Sequence, residues 1–269
     1  MLIKIGLRPS KFKKLSYLCS VISRNELKYV RQLEQKKWRR REEVFVAEGP
    51  KVVGELLRTG FVARAIYATD AWHTEGVACR RVSDEELRRL SFLQHPQQVL
   101  ALFPLPQSPD IGLRLDVRTL TLALDGVQDP GNLGTIIRLA DWFGIDTILC
   151  SDDTADAWNP KVVQATMGSI ARVNIVYTNL PELLSHLPAD VPVYGTFLDG
   201  EPLGKHPLTQ GGLLVMGNEG KGISDALRPY IGHPILIPNY PDGRATADSL
   251  NVAIATAIMC HEFRRTPNP

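Results

Sequence analysis

Apolar and polar positions along the 269-residue chain follow two periods, one helical and one of short strands. Leu27, Val30 and Leu33 recur at helical spacing and predict a helix over residues 25–40. Apolar runs predict strands over 44–46, 65–68 and 99–103. Helices are predicted between them over 50–57, with Val52, Val53, Leu56 and Leu57 on one side, and over 84–90. These elements make a small α/β unit. Pro104, Pro106 and Pro109 then cluster as a stiff extended linker.

From residue 119 onward strands and helices alternate. Strands are predicted over 119–124, 147–150, 173–176, 191–197, 213–216 and 234–237. Helices are predicted over 132–143, 160–167, 181–187 and 224–230, and a last one starts near 248 with Leu250, Ile254, Ala257, Ile258 and His261 at helical spacing. Such βα alternation predicts a mostly parallel sheet covered on both faces. Ligands of these sheets bind beyond the carboxyl ends of strands. The expected organisation is an arm over 1–20, an α/β unit over 21–103, a linker over 104–116 and a second α/β domain over 117–269.

Composition narrows the class. Apolar residues make up 44% and charged residues 22%, which is ordinary for a globular chain and excludes a mostly disordered or coiled-coil one. No stretch reaches the ~20 apolar residues of a membrane span. The N-terminus lacks the apolar run of a secretory signal. Four dispersed cysteines without a CxxC pair, and six histidines without HExxH spacing, predict reduced thiols, no metal site and a cytoplasmic setting. Charge is uneven: residues 1–41 hold thirteen Lys/Arg against two Glu, and the remainder holds 18 basic and 27 acidic residues. A basic arm on an acidic body points to a polyanionic partner, since each phosphate contact releases condensed counterions. The densest run is Lys36, Lys37, Arg39, Arg40 and Arg41, with Trp38 among them either to stack on a base or to turn inward.

Three loops carry candidate chemistry, each after a predicted strand. In the first, Asn132 is suited to cap a helix and Arg138 sits within two turns of it, as a clamp for phosphate or carboxylate or as a surface arginine. In the second, Gly217, Gly220 and Gly222 flank Glu219 and offer backbone amides to a small polar ligand, or form a plain turn. It is not a P-loop, and no GxGxxG follows a strand. In the third, Ser249 and Asn251 open the last helix as caps or as ligand contacts.

Together DPGNLGTIIRLADWFG, MGNEGKGIS and IPN…DSLNVAIATAI resemble, in order, the three motifs of the SpoU (TrmH-type) RNA 2′-O-ribose methyltransferases of the SPOUT class. The basic run and VFVAEGPKVVGELL are similar to the ribosomal-protein-like substrate-binding domain often fused to them. The resemblance implies an α/β fold with a C-terminal trefoil knot, a homodimer, S-adenosyl-L-methionine as cofactor and RNA as substrate. The two-domain layout leans toward ribosomal RNA. Matching positions imply a cofactor pocket of Thr196, Phe197, Leu198, Gly217, Ile237 and Leu250. They imply a catalytic group of Asn132, Arg138, Glu219, Ser249 and Asn251, with Glu219 fixing Arg138 or its loop. The segment between Ile237 and Ser249 is longer than the family pattern and adds Asp242 and Arg244. Two rival readings stay open: an RNA-binding or ribosome-assembly factor without catalysis, and a SPOUT enzyme methylating a base nitrogen.

Overall fold

The computed structural model describes residues 22–74, 76–106, 115, 117–205, 208–241 and 244–265. The expected arm over 1–20, most of the linker over 104–116, and Asp242 lie outside them. The first half contains α1 (Arg24–Gln32), α2 (Lys36–Glu42), β1 (Val44–Glu48), α3 (Pro50–Arg58), β2 (Ala65–Ala68), β3 (Arg80–Arg81), α4 (Asp84–Leu90) and β4 (Val99–Pro104). The second contains β5 (Leu120–Asp125), α5 (Pro130–Trp142), β6 (Thr147–Cys150), α6 (Pro160–Ala165), β7 (Asn174–Tyr177), α7 (Leu180–Ser185), β8 (Val193–Pro202), β9 (Gly212–Gly217), β10 (His233–Leu236) and α8 (Val252–Arg265).

Two predicted helices differ from this. The helix expected over 25–40 is two, because the backbone amides of Leu33, Glu34 and Gln35 bond three residues back and tighten the turn. The Arg39 guanidinium then takes the Leu33 and Glu34 carbonyls at 2.7 and 2.6 Å. The helix expected over 224–230 shrinks to a single 3-10 turn, Arg228–Tyr230, since Pro229 has no N–H for the ladder.

The strands form a four-stranded sheet, β1-β4-β2-β3, and a six-stranded sheet, β10-β8-β9-β5-β6-β7. All pairings in the larger sheet are parallel. Its strand order reverses between β5 and β9. Helices cover both faces. Leu122 and Leu124 of β5 join Leu133, Ile136 and Ile137 of α5 and Met259 and Phe263 of α8. Ala123, Leu213 and Val215 join Leu180 and Leu184 of α7 on the other face.

Strand β1 shows how the two sheets meet. Its side chains alternate, with Val44 and Val46 facing a small core with α1 and α4, and Phe45 and Ala47 facing the second half of the chain. The Phe45 ring lies 4.7 Å from that of Trp158. One apolar cluster therefore runs from Phe45, Val52 and Leu56 through Val162 and Ile170 to the six-stranded sheet. Each fully buried Leu, Ile or Phe in it contributes about 1.5–3 kcal/mol. Arg172 adds a polar bracket, pairing with Asp141 of α5 at 2.7 Å and with Glu55 of α3 at 2.9 Å. Its hydrogen bonds hold the Asp141 carboxyl below the usual carboxylate range.

Arg39 is a correction to the basic run expected to meet RNA. Only 2% of it is exposed, and its guanidinium pairs with Asp156 of the other half. A side chain so enclosed cannot meet a phosphate. Removing its partner strands a buried charge, so Asp156→Ala should cost about 3–5 kcal/mol, and adding Arg39→Met should recover most of the loss. Urea unfolding of the two variants checks this, and an unchanged midpoint for Asp156→Ala would mean that the pair is idle.

Candidate active site

At the end of β5, Gly126 turns with φ +71° and the chain enters α5. Asn132 was expected to cap that helix. Asp129 does so instead, accepting from the Asn132 backbone N–H at 2.8 Å with Pro130 at the first helical position. The Asn132 side chain is thereby left to point elsewhere. Gly134 serves packing rather than ligand approach: a Cβ there would lie 2.4 Å from that of Ala165, so its absence lets α5 and α6 close on each other.

At the end of β9 the chain folds back on itself. A Cβ on Gly217 would lie 2.2 Å from the Gly222 carbonyl carbon. Asn218 fixes this loop. Its Oδ1 accepts from the Gly220 and Lys221 amides at 2.9 and 3.0 Å, and its Nδ2 donates to the Gly126 carbonyl at 2.7 Å. The first two loops are thus pinned together by a residue the motif reading left unassigned. Its sequence signal is the Asx-turn habit of asparagine.

The third loop closes the set. Helix α8 starts at Val252, four residues later than expected, because Asn251 Oδ1 caps it by accepting from the Ala253 and Ile254 amides at 3.0 and 3.3 Å. Asn251 Nδ2 donates to Asn132 Oδ1 at 2.9 Å, and Asn132 Nδ2 donates to Glu219 Oε1 at 2.9 Å. Glu219, Asn132 and Asn251 therefore form one relay across three loops. Glu219 meets Asn132, not Arg138.

The relay stands beside a cavity of about 600 Å³. Thr196, Phe197, Leu198, Gly217, Ile237 and Leu250 all line it, as do Glu219 and Ser249. Its charged lining is mostly acidic, with Asp199, Glu219, Asp225 and Asp248 against Lys221 and Arg228. Arg228 pairs with Asp199 and lies 4.5 Å from the Phe197 ring centroid. No local motif marks that pair, since its members are 29 residues apart. Arg138 is not in the cavity wall. It is exposed on α5 and makes no hydrogen bond or ion pair among the described residues. Six residues from Asn132, it points about 120° away around the helix.

Helix α5, which carries Arg138, packs beside α8. The two helices run side by side, tied at one end by Asn132 and Asn251 and at the other by Arg264, which donates to the Phe143 and Gly144 carbonyls at 2.7 and 3.0 Å. Trp142 is 84% exposed on α5, and Ile254 is exposed on α8. Of the basic run, Lys37, Arg40 and Arg41 are exposed and Lys36 is half-buried. Trp38 leans on the small core, with Lys37 and Arg41 at 5.8 and 5.1 Å from its ring centroid. Among the described residues no helix is long and apolar enough to cross a membrane.

The model of the SpoU rRNA Methylase family matches residues 119–261, and that of the MRM3-like substrate binding domain matches 24–101. The chain is 34% identical over 241 residues to the 23S rRNA (guanosine(2553)-2′-O)-methyltransferase RlmP of Bacillus subtilis, covering 87% of this chain and 94% of that one. It is 30% identical over 200 residues to the 23S rRNA (guanosine-2′-O-)-methyltransferase RlmB of Acinetobacter baylyi, covering 71% and 79%. The crystal structure of an AdoMet-bound rRNA methyltransferase from Sinorhizobium meliloti superposes with a TM-score of 0.79 at 33% identity, covering 91% of this chain and 97% of that one.

The crowding at Gly217 predicts that Gly217→Ala forces the β9 loop open and costs about 1–3 kcal/mol of stability, read as a lower melting temperature. A melt equal to the wild type would show that the loop yields freely.

Proposed function

Because the chain belongs to the SpoU rRNA methylase family, we propose that it transfers a methyl group from S-adenosylmethionine to a ribose 2′-hydroxyl of ribosomal RNA. The observation that carries this is the relay of Glu219, Asn132 and Asn251, which joins three motif loops beside one cavity. The cavity suits the cofactor. Its volume falls in the range of small-molecule sites, roughly 300–1,000 Å³, and its acidic excess favours a sulfonium and an ammonium. Thr196, Phe197, Leu198, Gly217, Ile237 and Leu250 are the residues that would hold it.

When bound, S-adenosylmethionine supplies a methyl group already activated by its sulfonium. The chain then has to align the acceptor and assist loss of its proton. Asn132 orients the ribose, held by Glu219 and Asn251, while Ser249 braces the cavity rim. Arg138 supplies a guanidinium, a planar cation with several donors. It holds the phosphate next to the target ribose and stabilises the developing alkoxide.

The remaining assignments belong to the same proposal. Residues 21–103 form the substrate-binding unit and 117–269 the catalytic domain, joined through 104–116. Lys36, Lys37, Arg40 and Arg41 contact phosphates, with Trp38 beneath Lys37 and Arg41. The exposed Trp142 of α5 and Ile254 of α8 are the seat of a second copy of the chain. A trefoil knot in the C-terminal part fits the parallel neighbours β8, β9 and β10 and the return of α8 onto α5.

With total RNA from a strain lacking the protein and labelled cofactor, the wild type should methylate one ribose, mapped by nuclease digestion and mass spectrometry. Asn132→Ala and Arg138→Ala should each slow single-turnover transfer by about 10²-fold, and in Arg138→Ala cofactor affinity should stay within about twofold. A wild-type rate for Arg138→Ala would remove it from the chemistry, and a methyl on a base nitrogen would overturn the ribose reading. Trp142→Glu combined with Ile254→Asp should halve the mass in light scattering, and an unchanged mass would place the dimer face elsewhere.

A further inference from the structure

A second cleft, of about 320 Å³, opens where the two sheets meet. It is lined by Lys36 and Arg40 of α2, Phe61 after α3, Trp158, and Asn174 and Tyr177 of β7. β7 is the outer edge of the six-stranded sheet, at the opposite side from the β8, β9 and β10 ends that line the first cavity.

Charge in this cleft sorts into a neutral interior and a positive rim. Arg39 is matched by Asp156, and Arg172 by Asp141 and Glu55. Lys36 and Arg40 have no carboxylate partner among the described residues. Four residues apart on one helix, they project from the same face. Lys36 Nζ lies 5.6 Å from the Tyr177 ring centroid. The floor is apolar and aromatic, and the volume is at the small end of the range for ligand sites. An aromatic floor below a cationic rim is the combination that single-stranded nucleic acid requires, with base on ring and phosphate on cation.

We propose that this cleft holds one unpaired nucleotide of the RNA substrate, with its base against the apolar floor and its phosphate on Lys36 and Arg40. This rests on the reading that the substrate is RNA. The buried Arg39–Asp156 pair sets the position of α2, so the cleft is built jointly by both halves of the chain. From β7 to β9 there are three strand spacings, about 14 Å, which a few nucleotides of extended chain bridge. The cleft then fixes the offset between an anchored nucleotide and the methylated one.

The test uses the full chain and a short fluorescein-labelled single-stranded RNA of mixed sequence, with anisotropy measured over a series of salt concentrations. Ala171→Trp fills the cleft without changing charge and should raise Kd about tenfold. Lys36→Ala with Arg40→Ala should flatten the slope of log Kd against log salt by about 1.4, two contacts at about 0.7 each. Lys51→Ala, outside the cleft, should leave the slope at its wild-type value. Unaltered affinity in Ala171→Trp, or an unaltered slope in the double variant, overturns the proposal. If Ala171→Trp loses its native melt, the double variant decides alone. Methyl transfer by the wild type is scored separately. Its absence would defeat the enzyme reading without touching the cleft, whereas full transfer with cleft variants that bind normally would defeat the cleft alone.

Discussion

Asn132 uses both ends of one amide on two other loops, donating from Nδ2 to Glu219 and accepting at Oδ1 from Asn251. In a parallel sheet the loops at the strand ends have no ladder between them, so side chains must set their mutual positions. Here the amide is oriented at both ends, since reversing it would set donor against donor at Asn251 and acceptor against acceptor at Glu219. The arrangement depends in turn on Asp129, which caps α5 and leaves the Asn132 side chain unused by its own helix. Asn218 ties the same two strand ends through backbone groups. The cavity at the ends of β8, β9 and β10 therefore has beside it a set of loops held by a few polar contacts.

What could be read from the chain and what could not divides by contact range. The strands over 65–68 and 147–150 and the helix over 84–90 were legible, because their signals are local: short apolar runs, and a Ser83 capping box. The six residues expected around the cofactor share one cavity, because motif order carries the topology with it. Arg39 was illegible for the opposite reason. Among five basic neighbours nothing distinguishes it, and its partner Asp156 is 117 residues away. The break between α1 and α2 follows from the same arginine, since its guanidinium occupies the carbonyls at the turn. The cap of α5 was misplaced by three residues, as Asp129 and Asn132 are equally good caps on composition and only the Pro130 position separates them.

The two sheets share more than a linker. Alternate residues of β1 enter different cores, so the four-stranded sheet is buried on one face by α1 and α4 and on the other by α3, Trp158 and α6. A bracket through Arg172 reaches from α3 to α5, the helix that carries Asn132 and Arg138. Substrate-binding units on flexible tethers add effective concentration but leave the approach angle open. A unit fused through a continuous apolar cluster gives a set angle as well, which suits a reaction that requires alignment above all.

The position of Arg138 bears on the kind of acceptor the site can serve. Residues six apart on a helix point about 120° away from each other, and α5 turns Asn132 to the loops while Arg138 is exposed on its surface. An enzyme for two small molecules encloses both, to exclude water from each. In the proposed reaction only the donor is small. The acceptor is a ribose fixed in a long polyanion, which cannot enter a 600 Å³ cavity and has to be met at its mouth. A cation exposed on α5, outside the cavity, is open to such a polyanion, whereas the cavity itself suits only the donor.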